Sequence, residues 1–197
     1  MFRSLALALS SLLVLAGTSA IAAETYTLDS NHTQTLFTWN HFGFSNPTGN
    51  FNTVNGTLVF DAEDPAKSSV EVTIPVASID THVPALDEHL KQADFFDAAK
   101  YPTITFKSTA VERAAKPDTF KVTGDLTIHG VTKPATLLAT LNKRGEHAMR
   151  KAPAIGFDAT TTLKRSDFGM GAYVPAVSDE IRVHITTEAI AAKKSGK

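Results

Sequence analysis

Apolar and polar residues alternate along six separate stretches of this chain, and that two-residue period limits what it can fold into. In 103–113, Ile104, Phe106 and Ala110 share one parity and Thr105, Lys107 and Thr109 the other. In 119–129, Phe120, Val122, Leu126 and Ile128 oppose Lys121, Thr123, Asp125 and Thr127. The stretches 135–141, 155–163, 181–186 and 69–74 repeat the pattern, the last with Val70, Val72 and Ile74 against Ser69, Glu71 and Thr73. A period of two is the signature of a strand with one wet and one dry face. The residues involved, mostly Val, Ile, Thr and Phe, are those that strands favour.

Two further strands are expected upstream, over Thr33–Phe42 and Phe51–Phe60, with a short one at Tyr26–Leu28. Turn residues punctuate the runs at Asp64-Pro65, Lys116-Pro117-Asp118, His129-Gly130 and Arg144-Gly145-Glu146, which predicts hairpins and an antiparallel meander. One segment departs from this period. In 84–99, Leu86, Leu90, Ala93 and Phe95 or Phe96 recur at near-helical spacing. Pro84 suits a first helical turn, and Asp87 and Glu88 sit where they complement the helix dipole. The chain therefore reads as all-β with one short helix. About eight one-sided strands must cover their dry faces, either as a sandwich or as a closed barrel. The 11-residue run Thr103–Arg113 would stand roughly 28 Å tall at a tilt of about 40°.

The first 22 residues read as a leader outside this fold. Arg3 precedes the apolar stretch Leu5–Ala16, and Ala20 and Ala22 supply the small residues of a signal-peptide cleavage site. The stretch is too short for a membrane anchor. The pattern predicts export, with residues 23–197 as one domain and no transmembrane anchor after processing. The formal net charge of −1 and the lack of a basic stripe argue against nucleic acid as a partner. There is no cysteine. An exported chain without disulfides must rely on its core, and it has no thiolate chemistry or cysteine metal site.

Candidate chemistry is sparse. The seven histidines show no His-Glu-x-x-His and no His-x-His, so no metal and no cofactor are expected. Ser166 beside Asp167 lacks the Gly-x-Ser-x-Gly setting of a hydrolase. Arg165 is the exception. It shares parity with Ile155, Phe157 and Leu163, so it points inward near the end of its strand. A cation there needs an anion, with Asp167, Asp94 and Asp97 as candidates, or a polar ligand head. Arg suits planar pairing with either a carboxylate or a phosphate.

Several motifs, in order, carry a family likeness: Tyr26-Thr-Leu-Asp-Ser-Asn-His32, the turn at Asp80, His89-Leu-Lys-Gln-Ala-Asp-Phe-Phe-Asp97, Tyr101-Pro-Thr-Ile-Thr-Phe106, Gly124-Asp-Leu-Thr-Ile-His-Gly130 and Arg165-Ser-Asp-Phe-Gly169. The mature region resembles the YceI-like polyisoprenoid-binding family. The resemblance implies an eight-stranded antiparallel, lipocalin-like barrel, periplasmic export, and an apolar tunnel for a prenyl quinone, its precursor or a polyprenyl phosphate. The tunnel would be lined by Phe37, Trp39, Val72, Ile74, Phe96, Ile104, Phe106, Phe120, Leu126, Ile128, Leu137 and Phe157. His89, Asp94, Arg165 and Asp167 would form a polar mouth, with helix 84–99 as lid or wall. Family members often carry Arg where this chain has Leu86, and Ser where it has Gln92; Leu86 favours a neutral head group over a pyrophosphate.

Two other classes compete. An enzyme acting on a prenyl-like substrate would need an inward acid–base pair, such as His89 with Asp94 or with His41. An envelope-stress interaction module would have a barrel filled by its own side chains. Whether the chain forms a homodimer is left open.

Overall fold

The computed structural model describes residues 23–192. The strands follow in chain order: β1 (Glu24–Leu28), β2 (Gln34–Thr38), β3 (Thr48–Phe51), β4 (Asn55–Phe60), β5 (Ser69–Pro75) and β6 (Ile79–Asp80), then helix α1 (Pro84–Leu90), then β7 (Thr103–Arg113), β8 (Thr119–Ile128), β9 (Val131–Glu146), β10 (Pro153–Lys164) and β11 (Glu180–Ala191).

All pairings are antiparallel, and the β1–β11 pair closes the sheet on itself. Three of the barrel's eight staves are each broken once. β1 and β2 both pair with β11, separated by the 3-10 turn Ser30–His32. β3 and β4 form the next stave, and β5 and β6 the third, interrupted at Val76–Ser78. The remaining five strands are unbroken. The result is a closed eight-stranded antiparallel barrel with a single short helix, in up-and-down order. Closure removes the free strand edges that an open sheet of this length would expose.

The dry faces meet inside as the alternation predicts. Ile104, Phe106, Phe120, Val122, Leu126, Ile128, Ile155 and Phe157 are all buried. One end is sealed by three phenylalanines: the rings of Phe60 and Phe120, and of Phe60 and Phe157, stand 5.7 Å apart edge to face. Two cations lie over this seal, Arg144 over Phe60 and Arg113 over Phe120.

The other end is different. β5 pairs with β7 as far as Pro75–Thr103, but beyond that point β6 has no strand partner on its β7 side. The segment 81–102 fills this side, and α1 is fastened to β6 through Asp87. Its Oδ1 accepts from Thr81 N at 2.7 Å and from Thr81 Oγ1 at 2.6 Å.

Five expectations need correcting. The helix stops at Leu90 rather than at residue 99. Beyond it the chain folds back, with Phe96 N donating to Leu90 O and Ala98 N to Lys91 O, and with Asp97 in the left-handed region at φ 46°. This fold-back, not helical spacing, turns Phe96 onto Phe51 (5.8 Å, edge to face). The expected strand 51–60 is split between β3 and β4, and the strand expected over 33–42 spans only Gln34–Thr38.

Ala110 does not share a face with Ile104 and Phe106. A bulge at Thr109 inserts one residue opposite β8, so Ala110 is exposed and Val111 is buried instead. Arg144-Gly145-Glu146 is strand rather than turn. β9 continues to Glu146 and the chain reverses at 147–152. The turn at His129-Gly130 is as expected, with φ of 51° and 72°. A Cβ on Gly130 would meet Tyr101 Cζ at 2.7 Å, so both conformation and space demand glycine.

Candidate functional site

The barrel encloses two adjoining cavities. The inner one, about 220 Å³, lies between the phenylalanine seal and the middle of the barrel. Val72, Ile74, Phe106, Phe120, Leu126, Leu137 and Phe157 line it, along with Val54, Leu58, Val122 and Ile185. Its polar neighbours are Ser and Thr only; Thr33 Oγ1, for example, is bonded to Asp29 O and Thr187 Oγ1. No Asp, Glu, His, Lys or Arg is among its lining residues.

The outer cavity, about 540 Å³, occupies the end that α1 flanks. Six side chains line both cavities and form a neck: Phe37, Phe51, Ile104, Ile128, Leu163 and Val183. A row of aromatic contacts runs through it, from Trp39 to Phe37 (5.8 Å), Phe37 to Phe51 (5.5 Å) and on to Phe96. On the far wall His89, Phe95 and Tyr173 cluster, with His89 edge-on to Phe95 at 5.0 Å and Phe95 stacked on Tyr173 at 6.4 Å.

All twelve apolar residues expected in the tunnel lie on these walls, Trp39 and Phe96 in the outer cavity and the rest in the inner cavity or the neck. The four polar residues expected at the mouth do not form one group. His89 and Arg165 line the outer cavity, whereas Asp94 and Asp167 are exposed and absent from its wall. Asp94 Oδ2 lies 3.3 Å from His89 Nε2.

Arg165 points inward and is only 6% exposed, but neither its partners nor its backbone are those expected. β10 ends at Lys164, and Arg165 opens a 3-10 turn over Arg165–Phe168. Its guanidinium binds no carboxylate. Nε donates to Ser178 O (2.9 Å), Nη2 to Val177 O (2.9 Å) and Nη1 to Met170 O. Burial presses its pKa below the ordinary arginine value, and the nearby Asp179 charge works against that shift. Asp179 is itself buttressed, accepting from Ser166 N and Ser166 Oγ. Burial raises its pKa, but these bonds and the Arg165 charge outweigh burial and hold it below the usual carboxylate range. Arg165 thus fixes the loop 170–178 to the barrel rim.

Sequence reasoning missed several wall residues. Leu163, Val183 and Ile185 had the right parity on strands already identified. Tyr173, Met170 and Phe168 lie outside the strands, where no period marks them. Leu86, the position at which the family resemblance implies an arginine, lines the outer cavity.

A closed up-and-down barrel around an apolar, ligand-sized interior defines the lipocalin-like class. Residues 26–189 match the family described as the YceI-like domain, and the chain belongs to that family. Protein YceI of Escherichia coli O157:H7 is 39% identical over 191 residues, covering 96% of this chain and 97% of its own. A UPF0312 protein of Pseudomonas aeruginosa (strain LESB58) is 37% identical over 185 residues, covering 94% and 95%.

Among solved structures, Burkholderia cenocepacia BcnA superposes with a TM-score of 0.74 at 27% identity, over 82% of this chain and 98% of its own. The Campylobacter jejuni YceI protein gives 0.69 at 34% identity, over 78% and 90%. A polyisoprenoid binding domain from Saccharophagus degradans, 15% identical with a TM-score of 0.63 over 85% and 98%, shares the fold. Among the described residues no helix is long and apolar enough to cross a membrane.

Proposed function

We propose that the chain binds a polyisoprenoid or similarly long apolar lipid for transport or storage, with the tail through the neck into the inner cavity and the head group in the outer one. The observation that carries this reading is an inner cavity with no titratable side chain on its wall, joined to a roomier cavity at the mouth. Water gains little in such a space, whereas a prenyl tail leaving water gains about 25 cal/mol per Å² of apolar surface covered. The Saccharophagus degradans domain, described as polyisoprenoid binding, offers a precedent for this cargo in this fold.

A neutral head, as in a prenyl quinone or its precursor, fits better than a phosphate. Only His41, His89 and Arg165 bring a titratable basic group to the outer wall, and Arg165 is engaged by three carbonyls. Leu86 adds apolar surface where family members often have a cation. The two histidines are suited to hydrogen-bonding a carbonyl or hydroxyl.

Binding without catalysis is favoured because the acid–base pair His89–Asp94 belongs to the mouth, with Asp94 exposed and off the cavity wall, and the inner cavity has no titratable side chain on its lining. A core filled by its own side chains is disfavoured by the cavities themselves. Export to the periplasm rests on the leader at 1–22, which lies outside the described residues.

The test is native mass spectrometry of protein purified from its own cells, followed by organic extraction. A discrete bound mass matching a prenyl quinone is expected, and N-terminal sequencing should begin at Ala23 or Glu24. A clean unliganded mass, with no uptake of either prenyl quinone or prenyl phosphate from detergent, would overturn the carrier reading.

A further inference from the structure

Two neighbouring loops on one side of the mouth, 39–47 and 170–178, contain no Asp, Glu, Lys or Arg. They are tied edge to edge: Phe42 N donates to Ala176 O at 2.8 Å, Ser178 N to Asn40 O at 2.9 Å, and His41 bridges Val177. Together they hold four large apolar side chains out to solvent. Phe44 is 91% exposed, Tyr173 59%, Phe42 52% and Val174 38%. Phe42 and Tyr173 also line the outer cavity, so the apolar rim is continuous with the apolar interior.

Two features set this rim apart from ordinary surface. First, several of its amides are satisfied from within. Gly43 N donates to Asn40 Oδ1 at 2.8 Å, Phe44 N to His41 O at 3.0 Å and Val174 N to Gly171 O at 3.3 Å, while Pro175 has no N–H to satisfy. Each paired amide lowers the cost of approaching a medium without hydrogen-bonding partners, where unpaired amides are strongly disfavoured. Second, Phe42 and Tyr173 hold their apolar bodies outward from left-handed backbone, at φ of 53° and 63°. Asn or Gly would occupy these positions more comfortably. Neither aromatic side chain is needed to fill the core.

We propose that this rim is a membrane-docking surface, which rests one side of the mouth in the neutral interfacial layer of a bilayer so that a lipid can pass between leaflet and cavity. This rests on the reading of the cavity as a lipid site. The occupant fits the chemistry of the rim: aromatic side chains favour the membrane–water interface, and loops without charge carry no desolvation cost for ions. Glu88, Lys91, Asp94 and Lys100 lie not on these loops but on the segment 81–102, which meets the rim where His89 and Phe95 pack against Tyr173.

The experiment uses protein purified from its source cells and phosphatidylcholine vesicles lacking prenyl lipid. Binding is followed by co-sedimentation and by the fluorescence of Trp39, the single tryptophan, which lines the outer cavity. The wild type should partition onto the vesicles, and 1 M NaCl should not release it, since no rim charge is involved. Phe44→Ser should weaken partitioning about tenfold, and Phe44→Ser with Val174→Ser further still. Both variants should keep wild-type uptake of prenyl quinone from detergent micelles, because neither Phe44 nor Val174 is on a cavity wall.

Three outcomes overturn docking. One is a wild type that takes up micellar lipid yet ignores vesicles. Another is salt-sensitive binding that both variants retain. The third is a wild-type dimer that the substitutions convert to monomer without any vesicle binding, which assigns the rim to a second copy of the chain. Vesicle binding without any lipid uptake would leave docking standing and remove the carrier reading instead.

Discussion

The ring of Phe37 rests on Gly49, its cross-strand partner in the β2–β3 pair. A Cβ at residue 49 would come within 2.9 Å of Phe37 Cε2 and closer still to Cζ. Glycine therefore sets how far the Phe37 ring can settle, and Phe37 is part of the neck between the cavities. Gly49→Ala should push the ring from its seat, at a cost of about 1–3 kcal/mol in stability. It should also change prenyl-lipid affinity more than an alanine elsewhere in the same strand pair would. Urea denaturation and a lipid titration on the same samples check both effects. Unchanged lipid affinity alongside a measurable loss of stability would show that the Phe37 position does not control passage.

The inner cavity predicts a discrimination by length. Leu137 faces it from β9, opposite Val122 on β8. Leu137→Trp would extend a large ring into that empty space, so the usual overpacking cost of about 1–3 kcal/mol should be reduced. If the tail enters through the neck, long prenyl probes should bind at least about tenfold more weakly, a loss of about 1.4 kcal/mol. Probes short enough for the outer cavity should be unaffected. Titration with a series of prenyl quinones of increasing length reads this directly. Equal losses for all lengths would argue against a tail threaded past the neck.

The strands were legible because a period of two persists wherever strands have one dry face, and because the turns at 116–118 and 129–130 carry their own residue signatures; closure into a barrel rather than a sandwich came from the family resemblance. What periodicity could not reveal were the single-residue bulges. The one at Thr109 reverses the faces of Ala110 and Val111 without changing the residue types around it. The extra residue near Asn142, opposite Gly156–Phe157, does the same for Lys143, which has the parity of Leu141 yet is exposed. The site was legible on its apolar walls and less so at its mouth. Arg165 was recognisable as an inward cation, but its partners are backbone carbonyls of a loop, and a carbonyl has no sequence signature. The rim residues Phe42 and Tyr173 lie in loops, where exposure depends on backbone conformation rather than on pattern.

At the sealed end, Tyr26 is only 1% exposed and its hydroxyl links two charged groups. It donates to Glu24 Oε2 at 2.6 Å and accepts from Arg144 Nε at 3.1 Å. Burial, followed by the bond to Glu24, raises its pKa above the ordinary tyrosine value, with Arg144 pulling the other way. The folded state therefore retains its proton where the unfolded chain begins to lose it. The resulting stabilisation is intact below about pH 10 and is lost as pH rises through the higher folded value. Tyr26→Phe should cost about 1–2 kcal/mol at neutral pH, since Arg144 and Glu24 lose a partner in a partly buried setting. It should also flatten the fall in stability between pH 9.5 and 11. Denaturation midpoints of both proteins across that range would reveal the difference, and parallel curves would remove Tyr26 as its source.

Arg165 and Asp179 should prove unequal in their effects. Arg165→Met strands the carbonyls of Met170, Val177 and Ser178, so about 3–5 kcal/mol should be lost. Arg165→Lys should recover little, because one ammonium cannot reach three carbonyls arranged around a planar fork. Asp179→Asn keeps an acceptor for Ser166 and removes only a charge, so its cost should be smaller and dependent on pH. The Asp179 carboxyl is held below its ordinary value, so its contribution is present above about pH 4 and is lost as pH falls through the lower folded value. Wild type and Asp179→Asn should therefore converge in stability toward pH 2 and diverge at pH 6. Because the anchored loop carries Tyr173 and Val174, Arg165→Met should also weaken vesicle binding in whatever fraction remains folded. If instead Arg165→Lys matches the wild type in stability, the guanidinium is not the clasp that holds this loop, and its direction into the mouth would point back to a ligand.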